Sequence, residues 1–230
     1  STLFPYTTLF RSTNRGVVLS TLHQSSLGAL YLIAPSKLHP LWYSPYLALF
    51  FFVSSIPAGL SMVIFEGRLS HKYLHHKMDA THLEESPGVT LGFAKAAAVV
   101  LFAYFNLKWI GVALDDNWKY LATGWGAWFL VELLGFVLTP CLMYAVAARE
   151  KNQNLAFYAS IVTVAGIVLN RLNVSLVAFN WRLPAAARYM PSLEEILLTV
   201  FIVTLEITVL RICLCKLPIL HEHPEFKGAH

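Results

Sequence analysis

Long apolar stretches constrain this chain more than any other feature of its 230 residues. Several of them approach or exceed about 20 residues, the length that an α-helix needs to cross the hydrocarbon core of a bilayer. Hydrophobic residues make up 57% of the sequence and charged residues only 13%, far from the balance of a soluble domain. Because lipid offers no partners to backbone polar groups, such stretches favour helices over strands. The sequence therefore predicts an all-α integral membrane helical bundle.

The apolar stretches and the polar segments between them predict six transmembrane helices. Their approximate bounds are 16–34, 46–69, 89–114, 124–148, 155–178 and 193–216. Residues 70–88 are expected to form the longest polar loop, and no internal repeat is visible. Residues 1–12 are not a signal peptide and resemble translated sequencing-adapter sequence, so they are expected to be a non-native leader. The transmembrane domain is expected to span 13–216, followed by a short tail, 217–230.

Loop charge predicts the orientation of the bundle. Lys and Arg residues are more numerous on the side that holds the N-terminus, the 70–88 segment, the turn near 150 and the tail. The side richer in Lys and Arg is normally cytoplasmic. The C-terminus is therefore predicted to be cytoplasmic and the loop at 35–45 to lie outside. The net charge of +4 is explained by this bias and needs no nucleic acid partner.

A few polar groups fall inside predicted helices, where they are costly and suggest a function. His23 and Gln24 lie in the first helix, Glu132 in the fourth and Arg171 in the fifth. By a rise of about 1.5 Å per residue, His23, Glu132 and Arg171 lie roughly 10–18 Å below the outer ends of their helices. Because the fourth and fifth helices are joined by a short loop, Glu132 and Arg171 are expected to pair. A purely structural ion pair is an equally open interpretation.

Two outer loops bring aromatic and polar side chains to the mouth of the same layer. They are KLHPLWYSP and FNWRLP, and their candidate residues are His39, Trp42, Tyr43, Asn180, Trp181 and Arg182. A quinone needs donors for its carbonyl oxygens, a proton route and apolar walls. We therefore predict a quinone site formed by these loops with His23 and Gln24, and proton transfer through Glu132 and Arg171. The alternatives are an interfacial aromatic belt for the tryptophans and tyrosine and a satisfied core histidine for His23.

Other residues add weaker predictions about protons and cofactors. Glu66, Lys95 and Glu206 could extend proton transfer inward, although snorkelling of Glu66 and Lys95 to the interface is the simpler account. A membrane b-type haem commonly needs paired histidines, and His23 is the only histidine well inside a predicted helix. The three cysteines match no metal or cluster spacing. The chain is thus predicted to hold no haem, no iron–sulfur cluster and no metal.

The segments LHQSSLGALYL, KLHPLWYSP, FNWRLP and NRLNVSL together resemble the NrfD/polysulfide-reductase membrane-subunit family. More narrowly, they are similar to its Ni/Fe-hydrogenase cytochrome b subunit (HybB-like) branch. The resemblance runs from about residue 16 onward, and family members are longer, so the chain looks like their C-terminal six helices. It implies a multi-pass protein of the bacterial inner membrane. It also implies that Glu132 and Glu66 correspond to proton-relay carboxylates of the family, and that His23 corresponds to its membrane histidine.

The resemblance further implies electron exchange between a quinone pool, menaquinone or ubiquinone, and a four-cluster ferredoxin-like iron–sulfur subunit. That subunit would serve a hydrogenase, a molybdenum enzyme or a multihaem cytochrome. Two alternatives remain open. One is a secondary transporter with Glu132 and Arg171 at a midplane site, although no repeat supports it. The other is a purely structural membrane anchor.

Overall fold

The computed structural model describes residues 19, 22–73, 80–179, 181–184, 188–189 and 191–216, with the backbone alone at 70–73, 80–87, 210–211 and 213–216. The first helix, α1, is described at residues 22–30. The remaining helices are α2 (Leu47–Tyr73), α3 (Ala80–Leu114), α4 (Gly124–Glu150), α5 (Gln153–Ala178) and α6 (Leu193–Lys216). The predicted leader, 1–12, and tail, 217–230, lie outside the described residues.

The prediction of an all-α membrane protein is confirmed. Within the described part of the chain, four helices are long and apolar enough to cross a membrane, namely Leu47–Leu69, Gly88–Leu114, Gly124–Glu150 and Gln153–Ala178. The bounds predicted for the last helix, 193–216, agree with those of α6. No strand occurs in the described residues.

The prediction of a polar loop at 70–88 is wrong for most of these residues. Residues 70–73 continue α2, and residues 80–88 already belong to α3. Charged residues such as Glu and Lys are good helix formers, so a helix does not end where its sequence stops being apolar. Hydropathy marks the span that lipid can cover and not the end of the helix.

Four of the helices form a closed bundle. Helix α2 packs against α3 and α5, and α4 packs against the same two neighbours. Two short caps set the entry of α4 and α5: the Thr123 hydroxyl accepts from the Gly126 N–H, and the Asn152 side chain accepts from Asn154 N and Leu155 N. Lys151, with φ 54°, makes the tight turn that joins α4 to α5.

Both helices of this hairpin widen into π-helix close to the same end of the bundle. In α4 the π segment is Val131–Leu138, and in α5 it is Asn173–Ala178. π-helical turns are rare and occur frequently at functional sites. Glu132 is the second residue of one segment and Asn173 the first residue of the other.

The segment between α1 and α2 covers this end of the bundle. The backbone N–H of His39 donates to the carbonyl of Ala178 at the end of α5, at 3.0 Å. The side chain of Asn117, in the turn after α3, donates to the carbonyl of Pro40, also at 3.0 Å. Residues 38–44 therefore lie directly above the two π segments.

Candidate functional site

The carboxylate of Glu132 is the centre of the buried polar network. Glu132 is only 4% exposed. Its Oε2 accepts from the indole N–H of Trp42 at 2.9 Å and from the amide of Asn173 at 2.5 Å, and its Oε1 accepts from the amide of Asn170. Indole and amide nitrogens only donate, so in all three contacts the carboxylate of Glu132 is the acceptor.

Arg171 reaches Glu132 through an intermediate and not directly. The guanidinium donates to the Asn170 Oδ1 at 2.9 Å, while the amide nitrogen of Asn170 donates to Glu132. The predicted direct Glu132–Arg171 pair is therefore replaced by a bridge through Asn170. This arrangement satisfies both charges with hydrogen bonds and keeps them close enough to interact electrostatically.

The far side of Arg171 is anchored to α1 and α2. Its guanidinium donates to the Ser54 hydroxyl at 2.9 Å, to the carbonyl of Phe51 at 3.2 Å and to the Gln24 Oε1 at 3.5 Å. It also lies 3.7 Å from the centroid of the Phe51 ring. A guanidinium stacked on an aromatic face and bonded on several sides is strongly held in place.

A small cavity lies beside the carboxylate. It contains about 320 Å³ of space free of protein atoms, part of it open to the surroundings, and its lining includes Ser54, Tyr104, Glu132 and Asn170. The hydroxyl of Tyr104 is buried and has no hydrogen-bond partner among the described residues. The described partners of Glu132 only donate, whereas the hydroxyls of Tyr104 and Ser54 in the cavity lining are able both to donate and to accept a hydrogen bond.

Lys108 lies one helical turn from Tyr104 on α3 and is 4% exposed. Its Nζ is 5.2 Å from the ring centroid of Phe50 and 6.0 Å from that of Phe129. Glu132 acts on it electrostatically. Lys108 lines a second cavity together with Trp42 and Tyr43. Trp42 links this cavity to the first one, because its indole N–H donates to Glu132, which lines the first cavity.

His39 is enclosed by aromatic rings in the segment above the bundle. Its ring lies 4.8 to 5.7 Å, between centroids, from Trp42, Tyr120, Trp125 and Trp181. Its Nδ1 accepts from the backbone N–H of Leu41 at 3.2 Å. Burial lowers the pKa of His39 from 6.5 to about 4, because desolvation disfavours the imidazolium. His39 is thus neutral at neutral pH and packed among aromatic rings.

The structure gathers some of the predicted quinone-site residues and separates others. Trp42 and Tyr43 line the Lys108 cavity, and Gln24 reaches the network through Arg171. The side chain of His23 is exposed on α1. Trp181 packs on His39, Arg182 is exposed with its guanidinium 5.1 Å from the Trp181 ring, and Asn180 lies outside the described residues.

Glu66, the third residue predicted for proton transfer, lies far from this network. It is exposed, and 19 residues of α2 separate it from Leu47, roughly 28 Å at the helical rise. Lys95 and Glu206 are exposed as well. Among the described residues, no group of three or more His, Cys, Asp or Glu side chains could hold a metal ion.

Sequence reasoning missed Lys108 and Tyr104. Both lie in α3, four residues apart, on one face of the helix. That spacing of a lysine and a tyrosine in an apolar span was a usable signal. Their importance depends on the 40–44 segment folding over α3, which hydropathy does not reveal.

Comparison with known proteins identifies the family of the chain that contains this buried network. The model of the family described as "Polysulphide reductase, NrfD" matches residues 15–179, which include α2 to α5 and every member of the network. The chain belongs to this family of membrane proteins.

Three relatives give more detail. A chain of Nitratidesulfovibrio vulgaris (strain Hildenborough) named only "Protein" is 62% identical, over 94% of this chain and 55% of that one. The "Probable Ni/Fe-hydrogenase 2 b-type cytochrome subunit" of Escherichia coli is 30% identical, over 89% of this chain and 51% of the relative. The "Menaquinone reductase, integral membrane subunit" of N. vulgaris is 25% identical, over 91% and 54%.

The chain therefore spans about half the length of the curated relatives that it matches. No solved structure matches it.

Proposed function

We propose that this chain is part of the membrane subunit of a respiratory oxidoreductase complex and exchanges electrons and protons with a quinone pool. The observation that carries the proposal is the buried Glu132 carboxylate, held by Trp42 and Asn173 beside a small cavity. A buried ionisable group in a membrane span marks a functional site by default. The names of the relatives, a hydrogenase subunit and a menaquinone reductase subunit, support quinone as the substrate.

The proposed partner is a four-cluster ferredoxin-like iron–sulfur subunit, which connects to a hydrogenase, a molybdenum enzyme or a multihaem cytochrome. Electron transfer would belong to the quinone and the partner's clusters, while this chain would orient the headgroup and handle protons. Residues 13–216 would form the quinone-interacting domain in the bacterial inner membrane, with the C-terminus cytoplasmic. The absence of haem and of iron–sulfur clusters from this chain stays a prediction.

Each residue of the proposed site has a separate role. Trp42 and Tyr43 would form the wall and rim of the headgroup site, with His39 packing behind them. His23, Asn180, Trp181 and Arg182 would contact the quinone at the mouth, and Gln24 would act through Arg171. Glu132 would exchange protons, with Arg171 balancing its charge through Asn170, and Glu66 would carry protons on the opposite side.

A structural anchor is the second candidate function, and the completeness of the hydrogen bonding around Glu132 favours it. All three partners of the carboxylate are donors, so the site holds the carboxylate without help from a ligand. In that case, Glu132 would fix the α4–α5 hairpin and the 38–44 segment without taking part in turnover.

Quinol-linked electron transfer separates the two candidates. The full-length subunit is reconstituted with its iron–sulfur partner, and the wild type is compared with Glu132→Gln and His23→Ala. Glu150→Gln, at the exposed end of the same helix, is the matched control. Loss of turnover in Glu132→Gln, with the complex assembled and the control unchanged, supports the quinone function. Unchanged turnover in Glu132→Gln and His23→Ala contradicts it and leaves the anchor.

A further inference from the structure

Lys108 is a buried cation without a partner of opposite charge in contact. Among the described residues, its Nζ has no hydrogen bond or ion pair, and its neighbours are the ring faces of Phe50, Tyr104 and Phe129, at 5.2, 5.7 and 6.0 Å. Aromatic faces recover only part of the hydration energy that an ammonium loses in an apolar interior. A lysine in this position therefore needs another compensation.

The charges of the bundle interior do not balance. Three of the described Asp, Glu, Lys and Arg side chains are buried or half-buried in the bundle: Glu132, Lys108 and Arg171. Glu132 interacts electrostatically with both cations, but its carboxylate is already shared among three hydrogen bonds. With all three groups ionised, the interior has one positive charge in excess. A net charge in an apolar region is costly, so the interior favours an added negative charge next to Lys108.

The space for such a group lies between Lys108 and the covering segment. This cavity contains about 220 Å³ free of protein atoms, part of it open to the surroundings, and Trp42, Tyr43 and Ser44 form its wall on the side of the segment. On α3, Gly111 leaves it open, since a Cβ there would lie 3.1 Å from the Phe50 ring. Pockets that hold whole ligands are much larger, and the enclosed part of this space is close to that of a single water. A headgroup oxygen can therefore enter beside Lys108 only when the covering segment shifts.

We propose that Lys108 binds an oxygen of the quinone headgroup in this cavity and stabilises the negative charge which that oxygen gains during reduction. The inference rests on the proposed function and adds a residue that determines where the headgroup is held. Full reduction adds two electrons, supplied by the iron–sulfur partner, and two protons, and converts both C=O groups into C–OH groups. Lys108 acts in its protonated form, by hydrogen bonding and charge, and is not itself a proton donor to the quinone.

The cavity also couples the quinone to Glu132. The indole of Trp42 forms part of the cavity wall, and its N–H donates to the Glu132 carboxylate at 2.9 Å. A headgroup that displaces Trp42 therefore changes the hydrogen bonding of Glu132. This contact explains how charge at the quinone oxygen could be sensed by the group proposed to exchange protons.

Equilibrium binding of two probes tests the role of Lys108 without requiring turnover. The full chain in lipid nanodiscs is titrated with 2-hydroxy-1,4-naphthoquinone, which is an anion at neutral pH, and with neutral 2-methyl-1,4-naphthoquinone. Lys108→Met is expected to weaken binding of the anionic probe by about tenfold or more, as for the loss of a charged hydrogen bond, and to affect the neutral probe less. Lys108→Arg is expected to keep the preference, and Lys95→Met, an exposed lysine on the same helix, is the matched control.

The outcomes separate this inference from the proposed function. If neither probe binds the wild type, the quinone function itself is contradicted. If both probes bind, and the ratio of the anionic to the neutral probe's affinity is the same in Lys108→Met as in the wild type, the assignment of Lys108 is overturned. Lys108→Met is expected to fold, because replacing a buried charge with an apolar side chain is often neutral or stabilising. Gly111→Leu, which fills the cavity without changing charge, should weaken both probes, and unaffected binding would locate the headgroup elsewhere.

Discussion

The hydrogen bonds to Glu132 explain why a carboxylate can be buried in a membrane span at all. Trp42, Asn170 and Asn173 come from three different parts of the chain and all donate to it. The sequence predicted that Glu132 and Arg171 would pair, and in the structure both are hydrogen-bonded to Asn170. It could not predict that Asn170 would lie between them, because one amide serves both only when α4 and α5 have a particular rotation.

Replacing Glu132 tests how much this network contributes to stability. In Glu132→Gln, one carboxylate oxygen becomes an amide NH₂ that faces donors, so at least one hydrogen bond is lost and Arg171 loses its counter-charge. The free energy of unfolding is expected to fall by about 3–5 kcal/mol, as when one partner of a buried charged pair is removed. Denaturant unfolding in detergent measures it. A loss no larger than that of Glu150→Gln would contradict this account.

The pKa of His39 predicts a pH dependence of stability. Burial lowers this pKa from 6.5 to about 4, so between these values the unfolded chain binds a proton that the folded chain does not. The contribution of His39 is fully present above pH 6.5 and is lost as the pH falls towards 4. The melting temperature of the wild type should therefore drop between pH 7.5 and pH 5.

His39→Asn is the variant that isolates this contribution, since its Oδ1 can still accept from the Leu41 N–H and it does not titrate. It should show a smaller drop in melting temperature between the two pH values than the wild type. His23→Asn, which removes an exposed histidine, should behave like the wild type. A drop of the same size in His39→Asn would show that other groups cause the acid sensitivity.

At the scale of the helices, a close contact fixes how α4 and α5 pack. Gly166 of α5 lies against Phe136 in the π segment of α4. A Cβ at Gly166 would lie 2.7 Å from the Phe136 Cβ and 2.8 Å from its carbonyl oxygen. This approach brings Asn170, one turn further along α5, within reach of Glu132.

Gly166→Ala is accordingly expected to force the two helices apart. Overpacking of this kind costs about 1–3 kcal/mol, and the displacement should also weaken the Asn170–Glu132 hydrogen bond. Thermal unfolding checks the loss. Gly135→Ala is the matched control, because nothing lies within 4 Å of a Cβ at that glycine. Equal stability of the two variants would contradict the close packing.

The helices were more predictable than the details within them. Apolar length predicted the spans, and the bounds of α6 agree with those read from the sequence. The π segments could not be predicted, since the sequence of an apolar helix does not indicate where its backbone widens by one residue. The burial of Lys108 was equally hidden, because the rings around it come from three helices, at Phe50, Tyr104 and Phe129.

At the scale of the whole molecule, the loop at 35–45 and the α4–α5 turn lie at opposite ends of the bundle. His39 is bonded to Ala178, at the end of α5, whereas the turn at Lys151 precedes the start of that helix. If α5 crosses the membrane once, these two segments face different compartments. Loop charge adds the prediction that the 35–45 side is outside.

Thiol labelling tests whether the two segments face different compartments and whether the 35–45 loop lies outside. In a cysteine-free background, Ser36→Cys should react with a membrane-impermeant reagent in spheroplasts, and Glu150→Cys only in inverted vesicles. Both positions are exposed in the structure. Reaction of both from the same side would contradict the fold, while the reverse pattern would contradict only the orientation.

The two π segments have a consequence for how this sequence tolerates change in length. In an ordinary α-helix, deleting one residue turns everything beyond it by about 100°, so such deletions are normally selected against inside a packed span. A π segment already contains a wider turn, and deleting one residue within Val131–Leu138 would let α4 return to regular α-helix. The backbone would accept that deletion easily, but the alignment of Glu132 with Asn170 and Asn173 would be lost. Length variation at these two places would thus abolish the site while sparing the fold.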